Sequence, residues 1–164
     1  MLFGSSLLGS CQTDAAKSTL VKVGQQVPSF DFIEANGQEK SHADLKGKVI
    51  MINFFATWCA PCLKELPHVQ SDIFDQYKDH PEFKLLVIGR EHTTDELVKF
   101  KRAKGYTFSL IADPKREIYS KFAGQFIPRN FLIDRDGTII YSSVGFKEDE
   151  FKELKNILEE QLKK

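Results

Sequence analysis

From Val27 onward, two hydrophobic rhythms divide the chain. "KVIMINFFA" and "FKLLVIG" are unbroken apolar runs, the mark of strands buried on both faces. "SFDFIEANGQEKS" alternates apolar and polar residues about Asn36-Gly37, which predicts a hairpin. "SHADLKG" reads as one helical turn capped by Ser41 and ended by Gly47. Helical spacing runs from Ala60 to about Tyr77, with a kink expected at Pro67. "TTDELVKFKRAKG" is a second helix, with Thr93 and Glu96 at capping-box spacing and Gly105 as its stop. "FSLIAD" reads as a short extended piece, followed by a helix with Asp113 as N-cap and Pro114 as its first residue. "IPRNFLIDRDGTIIYSSVG" is two strands turned at Asp136-Gly137. The last helix places Phe151, Leu154, Ile157, Leu158 and Leu162 on one face. This order predicts an α/β domain, a central mixed sheet flanked by helices, with an N-terminal β-hairpin extension.

Length and charge narrow this picture. The chain has 164 residues, enough for one domain. Its 23 basic and 23 acidic residues balance, which argues against a general nucleic-acid binder. No apolar run is long enough to span a bilayer.

The three cysteines are Cys11, Cys59 and Cys62. This is a C-x-x-C pair plus one distant thiol, not a disulfide scaffold. Cys59 follows a buried strand and opens a helix. Unpaired N–H groups there stabilise a thiolate and bring its pKa below about 8.5. Cys62 lies one turn on, so Cys59 is expected to be the exposed nucleophile and Cys62 the buried resolving thiol. Pro61 fits the first turn, where its missing N–H costs little. A zinc site would need two more ligands. His68 lies further along the same helix, and His42, His80 and His92 are scattered, so no metal is expected.

"FFATWCAPC" resembles the active site of the thioredoxin superfamily. Together with "VGQQVPSFDF", "LKGKVIMINFFATWCAPCLKELP" and "IPRNFLIDRDGTII", it resembles the TlpA/ResA-like branch, membrane-tethered thiol–disulfide oxidoreductases outside the cytoplasm. The resemblance implies a thioredoxin-like domain over residues 23–164 and a cis peptide at Pro128 facing the cysteines. It makes Cys59 and Cys62 catalytic, with Glu65 as a third functional group and Trp58, Ala60, Pro61, Ile127 and Pro128 as substrate-binding residues. It places Asn53 where thioredoxin has a buried acid. Arg129-Asn130 departs from the two threonines common in relatives, and Arg129 is expected to be a solvated side chain. Glu65 can point toward the thiol pair from three residues beyond Cys62, although an exposed helix carboxylate has the same spacing.

The implied reaction is reduction of disulfides in extracytoplasmic proteins through a mixed disulfide, needing no cofactor beyond the cysteine pair and a membrane thiol carrier as electron donor. Two alternatives stand beside it. A peroxiredoxin-like peroxidase shares the "G-x-x-x-P-x-F" and "DLKGK" pieces, but the position of its hydroxyl donor holds Ala56 and the threonine is Thr57. A non-catalytic binding module would not need both thiols.

Residues 1–22 are expected to be a signal remnant with a polar tether. Leu8-Gly9-Ser10-Cys11 resembles a bacterial lipobox, which implies lipid on Cys11 and a domain held at a periplasmic membrane face. No positive n-region precedes it, and its apolar stretch is short.

Overall fold

A computed structural model describes residues 14–164. Cys11 and the lipobox lie outside the described residues. A small antiparallel hairpin, β1 (Asp31–Ile33) and β2 (Glu39–Ser41), leads into a 3₁₀ turn at His42–Leu45. Ser41 caps that turn, and Asp44 completes the capping box. The central sheet follows: β3 (Val49–Phe55), β4 (Phe83–Arg90), β5 (Leu110–Asp113), β6 (Arg129–Ile133) and β7 (Ile139–Val144). Its spatial order is β5-β4-β3-β6-β7. β3, β4 and β5 are parallel, whereas β6 pairs antiparallel with both β3 and β7. This is the thioredoxin-like fold expected from the sequence.

β3 is buried along its whole length because it lies at the centre of the sheet with both faces covered. Its side chains alternate between two cores. Val49, Met51 and Phe55 join one core with Leu66, Val69, Phe151, Leu154 and Leu158. Ile50, Ile52 and Phe54 join the other with Phe30, Tyr119 and Phe122. The first core is covered by α1 (Ala60–His68) and α4 (Glu148–Leu162). α1 contains Pro67 and continues through a π-helical segment, Val69–Phe74, into a last turn at Asp75–Tyr77. The proline cannot donate an N–H, and the backbone widens directly after it. α2 (Thr94–Lys104) begins with the Thr93/Glu96 capping box and ends at Gly105, whose φ of 73° is left-handed.

Two local expectations are corrected. Helix α3 is only Tyr119–Phe122 and does not begin at Pro114. Arg116 takes a φ of 60°, which interrupts any helix there. The Asp113 carboxylate instead caps later, accepting from the Ile118 and Tyr119 amides at 3.1 and 2.8 Å. Part of the expected polar spacer also packs against the domain. Val21 is in the core, Thr19 bridges Ala123, and the Leu20 amide donates to Phe122 O at 2.9 Å. Among the described residues, no helix is long and apolar enough to cross a membrane.

Candidate active site

The C-terminal end of β3 delivers the chain through Ala56–Trp58 to Cys59, which is the N-cap of α1. Cys59 Sγ accepts from the Cys62 amide at 3.3 Å. The two cysteines are joined as a disulfide, with their Cα atoms 5.2 Å apart. Cys59 keeps 5% of its surface exposed, whereas Cys62 is fully buried. Ala60 and Pro61 are exposed beside the disulfide. Trp58 is 65% exposed and lies on the surface. The Arg90 guanidinium sits 5.8 Å from its ring centroid.

The other wall of the site comes from the segment before β6. The Ile127–Pro128 peptide is cis. The Ile127 carbonyl oxygen lies 3.7 Å from Cys59 Sγ, so Ile127 meets the thiol pair across 68 residues of sequence.

One turn along α1 from Cys62, Glu65 is 1% exposed. Its Oε1 accepts from Asn53 Nδ2 at 2.8 Å and from Asn130 Nδ2 at 2.6 Å. Asn53 also donates to Asn130 Oδ1 at 2.8 Å. Glu65 Oε2 is buried and has no hydrogen-bond partner among the described residues. Burial pushes the Glu65 carboxyl up from 4.5 to about 7, against the two amide hydrogen bonds, which act to lower it. The reading of Glu65 as an exposed helix carboxylate is therefore set aside.

Arg129 corrects the sequence expectation most sharply, because it is buried rather than solvated. Its Nε donates to Gln125 O and Phe126 O at 3.1 and 3.0 Å. Nη1 donates to Thr19 Oγ1, and Nη2 donates to Ser18 Oγ and Gln125 O, all within 2.8 Å. Arg129 is thus a strut between the N-terminal segment and the loop that carries Ile127 and Pro128. In the sequence, His92 stands out only as one of the scattered histidines. The Thr57 amide donates to His92 Nε2 at 3.0 Å, so this buried imidazole holds the turn that precedes Trp58 and Cys59. Neither role has a local signal. The nearest hint for His92 is its place just after a buried strand. Among the described residues, no group of three or more His, Cys, Asp or Glu side chains is placed to hold a metal ion.

A surface-exposed tryptophan, a dithiol at a helix N-terminus and an adjoining proline loop make this a site for thiol–disulfide exchange. The family model described as AhpC/TSA family matches residues 23–142. The chain belongs to this family. Within it, the chain is of the TlpA/ResA-like thioredoxin type. It is 30% identical over 144 residues to thiol–disulfide oxidoreductase ResA of Geobacillus thermodenitrificans, covering 86% of this chain and 81% of that protein. A solution structure from Bacteroides thetaiotaomicron, of a protein regarded as a protein disulfide isomerase, is 34% identical. It covers 90% of this chain and 94% of its own, with a TM-score of 0.85. StoA from Bacillus subtilis is 28% identical, covering 80% and 98%, with a TM-score of 0.65. This AhpC/TSA family member is a thiol–disulfide oxidoreductase.

Proposed function

We propose that this oxidoreductase works as a reductant of disulfides in extracytoplasmic polypeptides. The observation that carries the reading is the placement of Cys59 Sγ at the N-cap of α1, 3.7 Å from the Ile127 carbonyl. In the reduced enzyme, the Cys59 thiolate attacks one sulfur of a substrate disulfide. A Cys59–substrate disulfide forms, and the other substrate sulfur leaves as a thiolate and is protonated. Cys62 then loses its proton and attacks Cys59 Sγ. The second substrate thiolate leaves, and the Cys59–Cys62 disulfide remains. Two electrons have passed from the enzyme to the substrate. A membrane thiol carrier would return two electrons to the Cys59–Cys62 disulfide. Trp58, Ala60, Pro61, Ile127 and Pro128 form the polypeptide-binding rim in this reading.

Glu65 is the proton acceptor for Cys62. It lies one turn beyond that residue on α1, and a carboxyl raised to about 7 exchanges protons near neutral pH. Once ionised, it also opposes a thiolate nearby. A less stabilised thiolate means a less stabilised reduced form, which favours a reductant. The peroxidase alternative has no such support. The position three residues before Cys59 is Ala56, a buried side chain without a hydroxyl.

The anchoring proposal rests on the Leu8-Gly9-Ser10-Cys11 pattern alone. Lipid on Cys11 would hold the domain at the periplasmic membrane face. Produced behind a complete secretion signal, the protein is expected in the membrane fraction and Cys11→Ala in the soluble one. Equal partitioning would remove the anchor without touching the enzyme.

The reaction itself is tested by trapping. Cys62→Ser is expected to accumulate disulfide-linked substrates that dithiothreitol releases, and Cys59→Ser to accumulate none. Failure of Cys62→Ser to retain any polypeptide, while the parent reduces small disulfides, would count against polypeptide substrates.

A further inference from the structure

Phe126 has a φ of 69°, in the left-handed region that a bulky residue rarely adopts. Two hydrogen bonds hold it there. Its carbonyl accepts from Tyr119 Oη at 2.6 Å and from Arg129 Nε at 3.0 Å. Both donors belong to buried side chains. A glycine would take this conformation freely, yet the chain carries a phenylalanine and anchors its carbonyl inward.

The ring has little to do with the core. Phe126 is 40% exposed, and Trp58 and Phe126 are the exposed aromatic side chains among the described residues. Each is next in sequence to a residue at the thiol pair. Trp58 precedes Cys59, and Phe126 precedes Ile127, whose carbonyl lies 3.7 Å from Cys59 Sγ. Arg90 links their supports, 5.8 Å from the Trp58 ring and 5.0 Å from the Tyr119 ring. Elsewhere among the described residues the aromatic side chains are buried or half-buried, so two exposed rings, each next in sequence to a residue at the reactive sulfur, point to a contact with something apolar.

We infer that Phe126 is a specificity-determining residue, held in a strained backbone conformation so that its ring contacts an apolar side chain next to the substrate cysteine that Cys59 attacks. This rests on the reading that the substrates are polypeptide disulfides. The strain fits the role, because a rigid left-handed turn presents the ring without a conformational search.

The test uses two synthetic peptides, each closed by one disulfide and identical except for leucine or serine beside the attacked cysteine. The parent is expected to prefer the leucine peptide by about fivefold in kcat/KM, the scale of a partly enclosed apolar contact. Phe126→Gly is expected to bring that ratio to about one, mainly through KM, and Phe126→Leu to keep most of it. Thermal unfolding supplies an independent readout. Phe126→Gly is expected to melt above Phe126→Ala, because only glycine is free at this φ. Full selectivity in Phe126→Gly, or an alanine variant as stable as the glycine variant, overturns the proposal while leaving the reductase reading intact. A parent that reduces neither peptide overturns both.

Discussion

Asn130 Nδ2 donates to Glu65 Oε1 at 2.6 Å, joining residues 65 positions apart in a buried site one helical turn from Cys62. β6 carries the asparagine, α1 the carboxylate, and Asn53 of β3 completes the triangle. The arrangement holds a carboxyl that ionises near neutrality.

A pH-dependent stability follows from Glu65. Its folded pKa is raised from 4.5 to about 7, so between these values the folded protein holds a proton that the unfolded chain has released. Stability contributed by the protonated form is complete below pH 4.5 and is lost as pH rises through 7. In the oxidised protein, Glu65→Gln is expected to gain stability relative to the parent across this window, by on the order of 3 kcal/mol at its alkaline end. Urea denaturation at a series of pH values measures this. A parent–variant difference that stays constant with pH would show that Glu65 does not titrate there.

Catalysis carries the same titration in a second form. The pH–rate profile of the parent is expected to show a limb near pH 7 that Glu65→Gln lacks, together with slower resolution of the mixed disulfide. Asn130→Ala removes a hydrogen bond that lowers the Glu65 pKa, so its limb is expected at higher pH than in the parent. A limb that stays in place in both variants would belong to another group.

Arg129 is expected to be costly to remove. Arg129→Met leaves the carbonyls of Gln125 and Phe126 without its guanidinium and frees Ser18 and Thr19. A loss of about 2–4 kcal/mol in unfolding free energy is expected, with faster proteolysis near Ser18. Arg129→Lys is expected to recover little, because an ammonium cannot reproduce the planar fork. A stability change below about 0.5 kcal/mol would return Arg129 to the class of dispensable side chains.

His92→Leu deprives the Thr57 amide of its acceptor at a turn two residues from Cys59. A destabilisation of about 1–2 kcal/mol is expected, with slower reduction of small disulfides as the turn loosens. His92→Gln supplies a replacement oxygen and is expected to restore part of both. An unaltered rate and stability in His92→Leu would make the contact incidental.

The pattern of residues determined the elements whose causes are local. Thr93, Glu96 and Gly105 mark both ends of α2 because capping acts within a few residues. The apolar run of β3 announced a central strand, since only a strand covered on both faces can bury every side chain. The C-x-x-C pair at a strand-to-helix junction located the reactive centre for the same reason. Tertiary structure alone decided what depends on contacts between distant segments. Arg129 reads as a surface charge until Ser18, Thr19 and the Gln125–Phe126 carbonyls surround it. Asp113 has the chemistry of a cap, but the left-handed Arg116 moves the helix it caps to Tyr119. Glu65 has the same local spacing whether exposed or buried. Its pKa is set by the low-dielectric interior that α1, β3 and β6 enclose, and desolvation is a property of that assembled interior rather than of any window of sequence.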